Sequence, residues 1–398
     1  MKIQPVFFGS YLPTDVNFLL KKLSKQQVHS TDVIKKEQLI QSGKRHYSQM
    51  LTLEEPPTDT HQQLFLQALA MGKSRMATEI YQLAKTLHKQ FANHQFNKKP
   101  LVLISLVRAG IPIGVLLQRI FADKSMGCNL TSVHFGISII RDRGLDKQAL
   151  HTILQAYPDS PLLFVDGWTG KGAIYGELQQ SLAEFNHNHH PFFANIFHQN
   201  LKPSPQTTKH NPTIPLVTLA DPANVAWLSA SHDDWLMPAG LLNSTVSGLI
   251  SRTLLNENPN DFHGCLYYDN LEKFDNSLFF INEILQTIQQ NLANLQKLPL
   301  LIPKPQPSFA TQGLILQLAK QFGIDNLNRI KPTLAEATRA VLRRNPDRVL
   351  VQCYNQDTML LRYLCEQKAV AIDVVGDKIA PYQAITLIKN TNNTANIS

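Results

Sequence analysis

Apolar residues return at three- and four-residue steps through LFLQALAMGKSRMATEIYQLAKTL, which predicts an amphipathic helix over roughly 61–90. The pattern then changes. PLVLISLV (100–107) is an unbroken apolar run of strand length, and a short loop and a helix from about 112 follow it. LTSVHFGISII (130–140) is a second strand, RDRGLDKQ after it a charged, glycine-bearing loop, and PLLFVD (161–166) a third strand leading into the helix GAIYGELQQSLAEF. Strand, loop and helix in repetition predict an α/β fold with a parallel sheet covered on both faces. A Pro- and Thr-rich loop (201–213) precedes a fourth strand, IPLVTLAD (214–221), and a long helix over 276–297 closes this first domain.

LPLLIPKPQPS (298–308) carries four prolines and marks a linker. Beyond it lies a second, smaller α/β pattern: helices near 310–322, 333–344 and 356–367, with strands at 348–353 and 369–375. The chain therefore divides into an irregular, polar and basic segment 1–60, a first domain 61–297, a C-terminal domain 298–389 and a polar tail 390–398 expected to be disordered. A length of 398 residues fits two domains.

Composition narrows the class. The chain is 43% apolar and 17% charged, has no apolar run of spanning length, and opens without a signal-peptide pattern, so the expected place is the cytoplasm with no membrane partner. Its four cysteines, Cys128, Cys265, Cys353 and Cys365, form neither a CxxC pair nor a secreted-style framework. Net charge is +8, of which +5 falls after residue 298, favouring an anionic partner.

The loop after the third strand, DGWTGKGAI, suits a phosphate. Gly167, Gly170 and Gly172 let the backbone approach, Thr169 offers a hydroxyl, Lys171 a charge, and the next helix its positive end. A Walker A loop is disfavoured, because Gly167 stands only three positions before Gly170 and Gly172 replaces the magnesium-holding hydroxyl; the spacing is not that of a Rossmann loop either. An acid at a strand end with a glycine six residues later resembles the phosphoribosyl-diphosphate (PRPP) signature of type I phosphoribosyltransferases, with Gly167 in place of the usual second acid. SLVRAGIP (105–112) is similar to that family's diphosphate loop. By this resemblance Arg108, Ala109 and Gly110 meet the diphosphate, Asp166 holds the ribose with Gly167–Gly172 around its phosphate, and Arg141, Arg143 and Lys147 form a mobile catalytic loop.

Over nearly its whole length the chain resembles a bacterial group of phosphoribosyltransferase-like proteins with a C-terminal Pelota-type RNA-binding domain. That group belongs to tellurite-resistance stress clusters, and some members carry the label cysteine protease StiP. SGKRHYSQML (42–51), VDGWTGKGAI (165–174), MPAGLLNSTVSGLISRT (237–253) and DFHG (261–264) carry the likeness. It implies a type I phosphoribosyltransferase-like sheet, with residues 1–60 adding to a hood. It also implies a transferase that uses PRPP and magnesium to ribosylate a base-like acceptor in a stress-response nucleoside pathway. Lys44, Tyr47, Asp234, Trp235, Asn243 and Ser244 are the candidate acceptor contacts. The C-terminal domain is similar to Pelota and L7Ae proteins, which implies an RNA surface of Lys331, Glu336, Arg339, Arg343 and Arg344. A non-catalytic nucleotide-binding regulator is the alternative, and a homodimer stays open. A cysteine protease built on Cys265 and His263, two apart in DFHGCLYY, ranks last, because no oxyanion-hole signature accompanies them.

Overall fold

The computed structural model describes residues 6–92, 99–189, 214–256, 258–304 and 306–390. The loop expected at 201–213 and the tail from 391 lie outside them. Six strands form one all-parallel sheet in the order β1-β4-β3-β7-β8-β9: β1 (Asn17–Phe18), β3 (Leu101–Leu106), β4 (Ser132–Ile137), β7 (Leu162–Trp168), β8 (Leu216–Ala220) and β9 (Leu228–Ser231). Every residue of β3 is buried, which is why its sequence is a continuous apolar run rather than an alternation.

Helices cover both faces. Helix α2 (Asp59–Phe91), α3 (Gly110–Ala122) and α6 (Ser277–Leu295) share one core with inward residues such as Leu103, Val165 and Val217. Helices α4 (Lys147–Ala156) and α5 (Ala173–His189) build the other core on Ile104, Phe164 and Leu216. The expected helices and strands of this part are present, most of them within a few residues of their predicted bounds. The segment before residue 60 is less irregular than its composition suggests. It supplies edge strand β1, strand β2 (Lys21–Leu23), which pairs in parallel with β10 (Gly264–Leu266), and helix α1 (Val33–Gln41). The charged stretch after β4 is no simple loop either: β5 (Ile139–Ile140) and β6 (Gly144–Leu145) pair as a tight hairpin.

The C-terminal part is a four-stranded mixed sheet, β11-β14-β12-β13, from β11 (Ile330–Pro332), β12 (Pro346–Val351), β13 (Ala371–Val374) and β14 (Ala384–Ile388). Helix α7 (Gln312–Gln321) packs on one face, and α8 (Leu334–Arg343) and α9 (Met359–Gln367) on the other. That second core is shared with the first part: Leu64, Ala68, Leu236 and Leu241 pack with Leu334, Val341 and Leu361. An apolar seam thus holds α8 against the loops at the carboxyl ends of the parallel strands. No helix among the described residues is long and apolar enough to cross a membrane.

Candidate functional site

Strands β3 and β7 are parallel neighbours with Ser105 opposite Val165, so the loops that follow them emerge side by side. Two glycines allow the contact: a Cβ on Gly110 would meet the Val165 carbonyl oxygen at 2.1 Å, and one on Gly167 would come to 3.1 Å of the Ala109 carbonyl oxygen. The chain thereby brings Arg108, Ala109 and the 166–172 turn onto one cavity of about 380 Å³, roofed by α8 of the C-terminal part.

The turn's polar groups are largely engaged within the protein. The Thr169 hydroxyl donates to Asp221 Oδ1 at 2.5 Å, and Asp221 also accepts the Val225 and Ala226 N–H groups. Lys171 Nζ donates to the Leu327 and Ile330 carbonyls, and Tyr382 donates to the Gly170 carbonyl at 2.7 Å, so the turn is sewn to the C-terminal part. Burial lowers the Lys171 pKa to about 8. Gly172 holds φ +77°, where a Cβ would press on Phe309. Asp166 is buried and accepts the Gly167 N–H at 2.8 Å; burial pushes its carboxyl up to about 7, against offsets from that bond and Arg339.

Arg108 does not stand open. Its guanidinium meets Glu54 at 2.6 Å and reaches the Ile250 carbonyl and Asn243 Oδ1. The second Glu54 oxygen accepts the Ser244 N–H, so Asn243 and Ser244 help to fix this pair. The hairpin residues disperse. Arg141 lines the cavity and bonds Asn328 Oδ1 at 2.7 Å, with its N–H on the Tyr47 hydroxyl. Arg143 and Lys147 face a separate cavity of about 430 Å³, Lys147 paired with Glu184, and Lys44 lines a third one. Asp234 and Trp235 are interior. The Asp234 carboxylate accepts the N–H groups of Leu334 and Gln383 at 2.8–2.9 Å, clasping the C-terminal part, and Trp235 lies under Arg75.

The residues expected to face RNA point inward instead. Lys331 is buried, 3.5 Å from Glu336, and burial pulls its ammonium down to about 7. Arg339 lies over the Trp168 ring at 4.9 Å and donates to the Gly240 and Ala239 carbonyls. Arg343 and Arg344 line the same cavity. The apolar seam orders this: α8 buries Leu334, Ala337 and Val341 on the first part, which aims its basic face at the strand ends.

Glu54 and Arg252 escaped the reading of the sequence. Glu54 sits in a polar stretch and Arg252 near the end of the 237–253 motif, both remote from the phosphate-like loop, and only the fold carries them to it. Arg252 lines the cavity, donates to the Tyr47 and Met50 carbonyls and covers the Tyr47 ring. Magnesium was expected on the diphosphate rather than on side chains, and the side chains around the cavity offer it few free carboxylates. Glu336 is matched by Lys331, Asp166 faces Arg339, and cations dominate the rest. Among the described residues no group of three or more His, Cys, Asp or Glu side chains could hold a metal.

The cysteine corner lies elsewhere. Cys265, on β10, is fully buried beside the first core, and burial pushes its thiol up to about 12. His263 precedes it by two residues, but its Nδ1 bonds Ser138 Oγ at 2.8 Å while its backbone N–H donates to Asp146 at 2.7 Å. Ser138 in turn donates to Thr253. Burial holds the His263 imidazole below its ordinary value, hence neutral. Cys128 and Cys365 are buried and Cys353 is exposed.

Comparison with known proteins decides the kinship. Among solved structures none matches significantly. A curated relative from Acinetobacter baylyi, named cysteine protease StiP, is 45% identical over 397 residues, spanning 96% of this chain and 94% of that protein. The model of the PELOTA RNA binding domain matches residues 309–390. The model described as tellurite-like stress resistance cysteine protease StiP matches residues 9–285. These matches overturn the expected phosphoribosyltransferase: the family takes its description from the activity that the sequence reading ranked last. With 45% identity across nearly its full length and a family match over most of it, this chain belongs to the tellurite-like stress resistance cysteine protease StiP family.

Proposed function

We propose that this chain is a cysteine protease of the StiP kind, with Cys265 as its nucleophile. The observation that carries the reading is the 45% identity, over 96% of the chain, to a relative named for that activity. The family match ends at residue 285, so Cys353 and Cys365 fall outside it and Cys128 and Cys265 remain. Of these two, Cys265 has a histidine two residues before it, His263, which directly precedes β10, and alternate residues of an extended segment lie on the same side. Cys128 packs in the core near Tyr81, and its thiol is raised by burial.

In this reading His263 takes the thiol proton and the Cys265 thiolate attacks the scissile carbonyl. The amine leaves with the proton from His263, and water then hydrolyses the thioester. The conformation described is latent. A thiol at about 12 is almost wholly protonated at neutral pH, and its sulfur is closed to substrate. Activation therefore requires β10 to part from β2, a short edge pairing over Lys21–Leu23. The test is cleavage of a denatured protein substrate by the purified chain. Cys265→Ala is expected to remove at least about a thousandfold of the activity, and Cys128→Ala to leave it. Undiminished cleavage by Cys265→Ala would sink the assignment.

The match to an RNA-binding domain favours a second, compatible property, an RNA partner for residues 309–390. Fluorescence anisotropy with structured RNA is expected to show binding that weakens as salt is raised. No binding at low salt would remove it.

A further inference from the structure

The cavity roofed by α8 holds more positive charge than the protein neutralises. Arg108 has Glu54 and Lys331 has Glu336. Arg252 and Arg339 are met by backbone carbonyls, which satisfy N–H groups without cancelling charge. Arg343 is the extreme case: its Nε and Nη2 are withdrawn from solvent with no hydrogen-bond partner among the described residues. Nη1 of Arg252 and Nε of Arg141, on the same cavity, are in the same condition. Burial, reinforced by the like charges of Arg339 and Arg108 and only partly offset by Glu54, pushes the Arg343 pKa well down. A buried cation that faces more like charge than opposite charge is costly.

We propose that this cavity between the two parts of the chain is a binding site for a small phosphate-bearing anion, held by Arg343 with Arg339, Arg108 and Arg252. Nε and Nη2 of Arg343 are an adjacent pair of unengaged donors that matches two oxygens of a phosphate, and Arg252 Nη1 and Arg141 Nε add single donors from other elements, while the remaining guanidinium groups add charge. The first turn of α5, a helix of 17 residues, opens onto the same cavity at Gly172–Ala173, where the positive end of a helix favours an anion. At about 380 Å³ the cavity exceeds a single phosphate, and Leu106, Ile139 and Ile174 give it an apolar side. A phosphorylated organic molecule, or a diphosphate, fits that mixture. Because the arginines come from both parts, the anion would also tie α8 to the strand ends.

The site is independent of Cys265, and its test reads binding rather than cleavage, so its failure would leave the protease reading untouched. Thermal unfolding and calorimetry are run with inorganic phosphate, inorganic pyrophosphate, a short polyglutamate and a structured RNA. Pyrophosphate at a hundredfold excess over its Kd is expected to raise Tm by about 3 °C, with saturable heat. Arg343→Gln should unfold no earlier than wild type without anion, since it deletes an unpaired buried charge, and should lose the pyrophosphate shift. Arg343→Lys should keep part of the shift. A response to inorganic phosphate alone would place the site with free phosphate; a much larger one to pyrophosphate would place it with a diphosphate compound. The proposal falls if neither anion stabilises wild type, if Arg343→Gln responds as wild type does, or if only polyglutamate or only RNA binds.

Discussion

The cavity under α8 and the corner around Cys265 are both buried and both carry reactive groups, yet they are built in opposite ways. Around Cys265 the polar atoms have partners: His263 with Ser138, Ser138 with Thr253, and the His263 N–H with Asp146. The thiol beside them is neutral and dry, and that corner is stable without any visitor. Under α8 several guanidinium atoms lack partners among the described residues, and like charges face each other. A satisfied corner has to be opened before it can act; an unsatisfied one waits for a ligand. Burial alone does not separate the two cases. The balance of charge and hydrogen bonds does.

The largest effect expected on this contrast comes from Glu54→Gln. Glu54 is the carboxylate that meets Arg108 at 2.6 Å, and it offsets Arg343 as well. Its loss leaves a buried guanidinium unpaired, at a cost of about 3–5 kcal/mol in chemical denaturation. Added pyrophosphate should recover part of that loss, while alkylation of Cys265 by iodoacetamide stays as slow as in wild type. Recovery by sodium chloride at equal ionic strength would show mere screening and break the contrast.

Next comes Asp166, whose carboxyl burial pushes up to about 7 from 3.8. The folded chain keeps a proton that the unfolded chain gives up above 3.8, so this group favours folding fully below 3.8 and its contribution is lost as pH rises through 7. Unfolding free energy should therefore fall between pH 4 and 7, with a slope of at most about 1.4 kcal/mol per pH unit from this group. Asp166→Asn should flatten that slope, and an unchanged slope would place the titration on another buried acid such as Glu79, also raised to about 7.

How much of this was legible in the sequence follows from what each feature depends on. The parallel sheet was readable because β3 and β7 are continuous apolar runs bounded by glycine-bearing turns. The Arg108 loop and the 166–172 turn were linked in the sequence only through a family resemblance, and their meeting follows from the pairing of β3 with β7, which no local pattern shows. Strand β14 was missed although it is central to its sheet, since AITLI is short and abuts a polar tail. The inward orientation of the C-terminal cations was not readable for a deeper reason. Basic residues on an amphipathic helix look like an outer nucleic-acid face, and only the apolar seam through Leu64, Leu236 and Leu241 turns α8 inward. The phosphate-like turn was legible as a cavity wall but not as a guide to activity. The family description rests on kinship across the chain, whereas Cys265 and His263 carry little local pattern.

The smallest effect, and the most local, is expected at Asp234. Its carboxylate accepts the N–H groups of Leu334 and Gln383, which are the first residue of α8 and a residue beside β14. Asparagine keeps one oxygen but turns an NH2 toward those donors, so Asp234→Asn should cost about 1–2 kcal/mol. The loss is confined to the seam. Hydrogen exchange at the amides of 334 and 383 should quicken, and affinity for pyrophosphate should fall as α8 lifts from the strand ends. Cys265 is anchored by β10 and the first core rather than by that clasp, so its alkylation rate should not change. If Asp234→Asn instead exposed Cys265, the two regions would be one cooperative unit, and opening the C-terminal part would be the step that wakes the thiol.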